Sequence, residues 1–207
     1  MPESPETGAS NSSGLVPEDG KEGGGLSPEL KDLGVFQASW YTQGAGWRHN
    51  DLTHTTNATR AIGMPTGYTW DVDNTQHIVY RGEDGQLYEL WFTRGPGWQL
   101  GSGVTNTAPV RAVGDPVGYT WGVDDTQHVV YRGEDGQLHE LWFKRGQAWM
   151  EGGVADAMPV DAVGDPTAHT WSVDDTQHII YRGEDDRLCE LWFKRGEGWQ
   201  VGYRGPS

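Results

Sequence analysis

Residues 67–101 read GYTWDVDNTQHIVYRGEDGQLYELWFTRGPGWQLG, and they decide the fold because the chain repeats this pattern twice more, from Val117 and from Thr167. The tryptophans at equivalent positions, Trp70, Trp121 and Trp171, lie 51 and 50 residues apart. A constant period of this length is typical of a repeat architecture, in which each copy is one supersecondary unit.

Each copy has the composition of short strands joined by tight turns. Its apolar runs are rich in Val, Ile, Tyr and Trp and are bounded by Gly, Asp and Asn, a pattern that indicates strands and hairpins. In the first copy we predict four strands, centred on residues 68–72, 76–81, 87–92 and 98–100. The EDG sequence at 83–85 is a predicted turn, because its glycine adopts positive φ without steric cost. Asp186 replaces this glycine in the third copy and tolerates the same conformation. No segment predicts a helix, so the fold class is all-β.

One four-stranded sheet cannot cover both of its own faces, so each copy must pack against its neighbours. Repeats of about fifty residues with four strands each predict the blades of a β-propeller. A β-sandwich gives no reason to duplicate such a unit, and β-trefoil repeats have a different spacing. Both alternatives therefore fit less well than a propeller.

The chain carries about three and a half repeats, because the segment FQASWYTQGAGWRHNDLT at 36–53 matches only the second half of the unit. We divide residues 35–207 into a partial repeat, 35–64, and three full repeats, 65–115, 116–165 and 166–207. Residues 1–34 are rich in Pro, Ser, Gly and Glu, a composition that predicts a disordered tail. Since this number of blades does not close a ring, we expect a homo-oligomer to complete the propeller.

The charge of the chain limits its partners. A formal net charge of -15 repels the phosphates of nucleic acids and the headgroups of anionic lipids. Neither nucleic acid nor a membrane surface is therefore an expected partner. The sequence shows no N-terminal signal peptide and no apolar run long enough for membrane insertion, so a cytoplasmic location is the default expectation.

Three polar positions recur in strands that otherwise carry apolar residues. They are His77, His128 and His178; Arg81, Arg132 and Arg182; and Glu89, Glu140 and Glu190. Buried groups of this kind need hydrogen-bonded partners, so we expect one polar cluster in each blade. Two interpretations remain open for the cluster: a ligand site, or an Arg–Glu ion pair that ties blades together. Recent duplication of the unit also accounts for part of the repetition.

A tryptophan follows a tight turn in each full copy, in the sequences GPGW, GQAW and GEGW. These residues are Trp98, Trp149 and Trp199. Sugars bind to an aromatic ring that packs on their C–H face and to charged or amide groups that orient their hydroxyls. We therefore interpret the three tryptophans as ligand contacts, with packing between blades as the alternative. For Trp70, Trp91 and their equivalents we expect packing between blades.

Repetition favours binding over catalysis, because catalytic sites are usually single whereas every candidate residue here occurs in triplicate. Asp73 and Glu89 could form the carboxylate pair of a glycosidase, but both are repeated. The His and Asp residues lack the spacing of zinc or calcium ligands, so we expect no metal and no other cofactor. The two remaining functions are a carbohydrate-binding lectin and a non-catalytic propeller that serves protein interaction or structure.

The repeat resembles the fungal and bacterial fucose-binding β-propeller lectins over residues 35–204. The elements that carry the resemblance are, in the first copy, Val79 and Tyr80, Asp84 and Gly85, Glu89 to Trp91, and Gly97 and Trp98. The resemblance implies metal-free binding of fucosylated glycans between adjacent blades, by an arginine, a glutamate and aromatic residues. It assigns the glutamate to Glu89, Glu140 and Glu190 and the stacking aromatic residue to Trp98, Trp149 and Trp199.

The arginine of that family has no counterpart at the same position. The family places it two residues before the tyrosine, where this chain has Ile78, Val129 and Ile179, whereas Arg81 follows the tyrosine. Arg81 and Ile78 lie on opposite faces of the strand by alternation, so the sugar specificity stays open. Ala38 replaces the glutamate in the partial copy, which predicts no site there. The sequence thus predicts repeated weak sugar sites, with avidity supplied by multivalency.

Overall fold

The computed structural model describes residues 35–205. The predicted disordered tail, residues 1–34, lies outside the described residues. Within the described range the chain forms fourteen strands in four antiparallel sheets. This architecture confirms the all-β fold class.

Three of the sheets have four strands each, which follow one another in chain order across the sheet. The first blade contains β3 (Ala61–Trp70), β4 (Thr75–Gly82), β5 (Leu87–Thr93) and β6 (Gly97–Gly101). The second blade contains β7 (Val117–Trp121), β8 (Thr126–Arg132), β9 (Leu138–Lys144) and β10 (Met150–Glu151). The third blade contains β11 (Thr167–Trp171), β12 (Thr176–Arg182), β13 (Leu188–Lys194) and β14 (Gly198–Arg204). A two-stranded sheet, the partial blade, precedes them with β1 (Gln37–Thr42) and β2 (Gly46–Asp51).

The first strand of the first blade is longer than the sequence pattern predicts. Ala61 and Ile62 pair with Gly82 and Arg81, and a register shift then separates this pair from the regular ladder that begins at Thr66. The irregular segment contains Pro65, which has no amide hydrogen to donate, so the ladder cannot run through it. The sequence around Pro65 therefore shows no strand pattern, although Ala61 and Ile62 before it pair in the same sheet.

The hydrophobic core is divided among the boundaries between blades. Val79 and Leu87 of the first blade pack in one cluster with Val129 and Tyr131 of the second. An equivalent cluster joins the second and third blades, and another joins the partial blade to the first. Adjacent sheets therefore bury the faces that they turn toward each other, which is the stacking that blade packing requires.

Short helical turns follow the last strand of three of the four sheets, so the prediction that no segment is helical was wrong. They are α1 (Leu52–Thr56), α2 (Gly103–Thr107) and the 3-10 helix η1 (Ala155–Ala157). The side chain of Asp51 caps α1 by accepting a hydrogen bond from the amide of His54 at 2.9 Å. These turns bury Leu52 and Val104, but they are too short to show a helical period in the sequence. No helix within residues 35–205 is long and apolar enough to cross a membrane.

Candidate functional site

A chain of three hydrogen-bonded side chains lies across the second and third strands of each blade. In the first blade, Thr75 Oγ1 lies 2.7 Å from His77 Nε2, and His77 Nδ1 lies 2.8 Å from Glu89 Oε1. Thr126, His128 and Glu140 repeat this arrangement at 2.7 and 2.8 Å, and Thr176, His178 and Glu190 repeat it at 2.7 and 2.9 Å. The structure therefore brings together two of the three predicted polar positions, the histidine and the glutamate.

In the second and third blades an aspartate extends this chain. The hydroxyl of Thr126 donates to Asp124 Oδ1 at 2.7 Å, and Thr176 donates to Asp174 Oδ1 at the same distance. A hydroxyl has one hydrogen to donate, so the threonine oxygen is then an acceptor for the histidine ring. In the second blade Asp124, Thr126, His128 and Glu140 thus form one continuous hydrogen-bonded chain.

A glycine on the fourth strand, or directly after it in the second blade, makes room for each glutamate. A Cβ atom on Gly101 or Gly202 would lie 2.8 Å from Oε2 of Glu89 or Glu190, and one on Gly152 would collide with Oε2 of Glu140. Sequence reasoning missed this position, although the glycine recurs close to the same place in each copy. Each carboxylate thus packs directly against the backbone at this glycine, where no side chain separates them.

The predicted arginines are not part of the histidine–glutamate chain. Arg81 lies 3.7 Å from Asp115, and Arg132 lies 3.8 Å from Asp165, so each contacts the segment that leads into the following blade. Arg182 pairs with Asp186 at 3.1 Å within its own blade. The expected Arg–Glu ion pair is thus replaced by separate Arg–Asp and His–Glu pairs. A role of these arginines in ligand binding stays a prediction.

Tyrosines of the first strand connect adjacent blades next to the site. The hydroxyl of Tyr68 donates to Gln127 Oε1 at 3.0 Å, and that of Tyr119 donates to Gln177 Oε1 at 2.9 Å. The ring of Tyr119 stacks on His128 with centroids 5.1 Å apart. Burial, and then the negative charge of Glu140, raises the pKa of Tyr119 well above its usual range. The hydroxyl therefore stays a hydrogen-bond donor toward the next blade.

The three tryptophans that follow the turns all face the preceding sheet. Trp98 packs on the cluster that contains Leu52, and Trp149 packs on the cluster between the first and second blades. Trp199 donates its indole hydrogen to Glu140 Oε2 of the second blade at 3.1 Å. At the boundary between the second and third blades, the glutamate of one blade is therefore bonded to the tryptophan of the next.

An open cleft of about 560 Å³ lies at the boundary between the second and third blades. Its aromatic walls are Trp121, Trp142, Phe193 and Trp199, and its polar side chains include Asp124, Glu140, Glu151, Asp156, Gln177 and Arg195. Trp121 also contacts Phe193 edge-to-face at 5.7 Å, so it packs between blades as predicted. The guanidinium of Arg195 lies 2.8 Å from Asp124. We call this space the open cleft.

Sequence reasoning missed several residues of the open cleft. Arg195 precedes the GEGW turn in a Lys-Arg pair that also occurs at 144–145, and this repetition was the available signal. Glu151 and Asp156 have Leu100 and Asn106 as their counterparts in the first copy, so comparison of the copies did not single them out. Comparison of the copies therefore identified the residues that the blades share and missed Glu151 and Asp156, which distinguish the open cleft from the first copy.

A second cleft, of about 740 Å³, lies between the partial blade and the first blade. Ala38 occupies the position of the glutamate there, as the sequence predicted, and the nearby polar side chains include Ser39, Asn50 and Gln76. This cleft therefore lacks the carboxylate that marks the full blades.

The glutamate of the third blade lies in a more open environment. The side chains of Glu89 and Glu140 are 7% and 5% exposed, whereas that of Glu190 is 31% exposed. Trp171 is 51% exposed, although its equivalents Trp70 and Trp121 are only 3% and 4% exposed. Within residues 35–205 no group of three or more His, Cys, Asp or Glu side chains is arranged to hold a metal ion.

No protein-family model and no curated protein matches this sequence, but solved structures do. A fucose lectin from Kordia zhangzhouensis, solved with methyl-fucoside, is 20% identical with a TM-score of 0.51, and the match covers 69% of this chain and all of that one, 100%. The lectin of Aleuria aurantia, titled a six-bladed β-propeller with a novel fucose recognition mode, is 15% identical with a TM-score of 0.60, covering 83% of this chain and 52% of the lectin. AofleA from Arthrobotrys oligospora is 20% identical with a TM-score of 0.58, covering 83% and 50%.

At these identities the likeness shows the fold. It confirms the predicted β-propeller and the resemblance to fucose-binding β-propeller lectins, as a resemblance of structure. The chain spans about half the length of the Aleuria and Arthrobotrys proteins that it matches.

Proposed function

We propose that this protein is a lectin without enzymatic activity and that its principal sugar site is the open cleft between the second and third blades. One observation carries the proposal. In this cleft the carboxylate of Glu140 and the indole of Trp199, which come from adjacent blades, are hydrogen-bonded beside an open space of about 560 Å³.

The lining of the cleft has the two components that sugar recognition needs. Trp199 and Phe193 supply aromatic surface for the C–H groups of a pyranose ring. The carboxylates of Glu140 and Glu151 accept hydrogen bonds from hydroxyl groups, and charged acceptors make stronger hydrogen bonds than neutral ones. A cleft with aromatic walls and few convergent polar groups is the usual form of a small-ligand site.

The charge of the cleft favours neutral sugars. Glu140, Glu151 and Asp156 contribute carboxylates, while the cation Arg195 is already paired with Asp124. Sialylated and sulfated sugars are therefore disfavoured by like-charge repulsion. Fucosylated glycans are the first ligands to test, because fucose is uncharged and its methyl group can pack on the aromatic walls. The solved fucose lectin with bound methyl-fucoside supports this choice.

The hydrogen bonds of Glu140 favour binding over hydrolysis. Its Oε2 accepts the indole hydrogen of Trp199, and its Oε1 is hydrogen-bonded to the ring of His128. A glycosidase needs a carboxylic acid that donates a proton to the leaving oxygen, together with a second carboxylate. This geometry therefore supports a fixed acceptor, as a lectin needs.

We also propose that a second copy of the chain covers the exposed face of the third blade. On that face His178 lies 2.9 Å from Glu190, whose side chain is 31% exposed. The exposure of Trp171, compared with its two buried equivalents, supports an uncovered blade face.

The test is a glycan array followed by isothermal titration with the sugars that bind. We expect selective binding to neutral, fucose-containing glycans and weak binding to sialylated ones. Trp199→Ala should lower the affinity on the order of ten-fold or more, because it removes an aromatic wall and the indole partner of Glu140.

Trp47→Ala is the matched control, since Trp47 lies in the same GxGW motif of the partial blade and its side chain is 67% exposed. This variant should bind as tightly as the parent protein. An array without any selective binding, from protein whose circular dichroism shows an intact β-fold, would contradict the lectin proposal. Equal losses in both tryptophan variants would place the site elsewhere.

A further inference from the structure

The two boundaries between full blades have nearly the same residues but different arrangements of their tryptophan. Trp199 is hydrogen-bonded to Glu140 of the preceding blade. Trp149 makes no such bond to Glu89 among the described residues, and its indole ring lies directly on Gly103, so that a Cβ atom there would collide with the ring. The equivalent glycine, Gly153, has no tryptophan within 4 Å of its Cβ position and lines the open cleft. Trp149 therefore covers the surface that stays open at the other boundary.

The residue directly before the tryptophan is not the same in the three full copies. Gly97 and Gly198 precede Trp98 and Trp199 with φ of 82° and 77°, a conformation that side chains with a Cβ rarely adopt. Ala148 stands at this place in the second blade and is not in the positive-φ region.

The pairing of the fourth strand changes with the turn. Trp98 and Trp199 pair with Phe92 and Phe193. In the second blade the ladder begins only at Met150, so Trp149 lies outside it. The backbone around Ala148 thus leaves the strand and turns the indole onto Gly103.

We infer that residue 148 determines whether the cleft between the first and second blades is open, and that Ala148 keeps it closed with the side chain of Trp149. The chain then carries sugar sites of unequal accessibility, in place of equal copies. As a statement about sugar binding this rests on the proposed function, whereas the position of Trp149 can be measured without a ligand.

The ligand-free test uses indole N–H resonances of ¹⁵N-labelled full-length protein, assigned through Trp149→Phe and Trp199→Phe. Glu140→Gln should shift the Trp199 indole proton, because it removes the charged acceptor. In the parent chain, Glu89→Gln should leave the chemical shift of the Trp149 indole proton unchanged. In the Ala148→Gly variant, the same substitution should change it. The inference would be overturned if Glu89→Gln had no effect on the Trp149 resonance in Ala148→Gly, or if it shifted that resonance in the parent chain.

The ligand test adds methyl α-L-fucoside to the same samples. We expect the Trp199 resonance to respond in the parent chain and the Trp149 resonance to respond only in Ala148→Gly. The reciprocal variant, Gly198→Ala, should weaken the Trp199 response, with affinity lower on the order of ten-fold. Gln147→Ala is the control, because it changes the preceding residue of the same turn and should leave Trp149 unresponsive.

The two arms separate the two possible failures. If no indole responds to the sugar in any variant while Ala148→Gly makes Trp149 sensitive to Glu89→Gln, the lectin proposal fails and the role of residue 148 holds. If Trp149 responds to the sugar in the parent chain as strongly as Trp199, the closed cleft is refuted while sugar binding is supported.

Discussion

The position of each site glutamate depends on a residue without a side chain. Gly152 faces Glu140 so closely that a Cβ atom would collide with Oε2, the oxygen that accepts the indole hydrogen of Trp199. Any side chain at 152 must therefore push the carboxylate away from the tryptophan or separate β9 from β10. The glycine thus acts on the site through its lack of a side chain, while its amide donates to the backbone oxygen of Glu140 at 2.8 Å.

We expect Gly152→Ala to lower the free energy of unfolding by about 1–3 kcal/mol, since overpacking at a rigid contact forces neighbouring atoms to move. Sugar affinity should fall as well, because the bond between Glu140 and Trp199 is disturbed. Gly122→Ala is the matched control, as nothing lies within 4 Å of its Cβ position. Urea denaturation and titration calorimetry measure both effects, and equal behaviour of the two variants would show that the glycine contact is unimportant.

Residues that share a strand or hairpin could be predicted from the sequence, whereas residues joined by blade stacking could not. His128 and Glu140 were found because polar groups in apolar strands need partners, and they are indeed bonded to each other. Arg195 and Asp124 are distant in sequence and meet only because the third blade packs on the second. The strand pattern contains no information on that distance, so the sequence did not single out Arg195.

At the scale of elements, the blades are joined by hydrogen bonds from first strands to second strands. Tyr119 on β7 donates to Gln177 on β12, and both side chains are buried. The sequence predicted the four-stranded sheets and their stacking, since period and composition determine both. It did not predict these cross-blade bonds or the short helical turns, because both depend on the contact between sheets.

The raised pKa of Tyr119 makes the stability of the blade contact sensitive to alkali. The unfolded chain loses the tyrosine proton near its ordinary pKa of 10.0, whereas the folded chain holds it to higher pH. The contribution of this group is therefore complete below pH 10.0 and is lost as the pH rises toward the folded-state pKa. We expect Tyr119→Phe to flatten the fall of unfolding free energy above this pH by up to about 1.4 kcal/mol per pH unit.

Urea denaturation at a series of pH values from neutral to alkaline measures this slope. At neutral pH the same variant should be less stable by about 1–3 kcal/mol, because the carbonyl oxygen of Gln177 loses its donor inside the protein. An unchanged slope in Tyr119→Phe would show that this tyrosine does not hold its proton more tightly in the folded state.

At the scale of the whole molecule, the third blade exposes apolar side chains on one face. Trp171 is 51% exposed where its equivalents are 3% and 4% exposed, and Val173 nearby is 81% exposed. Apolar groups exposed together in this way mark surfaces that pack against another protein. Trp70 and Trp121 are covered by the blade that follows, where they contact Phe143 and Phe193, so a blade from another copy is the surface that fits Trp171 best.

Light scattering on the purified chain should therefore give the mass of an oligomer of two or more 22.9 kDa chains. Trp171→Glu should shift the mass toward that of one chain, because a carboxylate in an apolar contact costs several kcal/mol of association free energy. Met64→Glu is the control, as Met64 is also an exposed apolar residue, at 72%, but lies in the first strand of the first blade. Because Glu190 lies on the same face, loss of the oligomer should also remove any sugar site that this glutamate shares with the second copy. A parent chain that is monomeric at the concentrations where it binds glycans would contradict closure by a second copy and would leave the open cleft as a site formed within one chain.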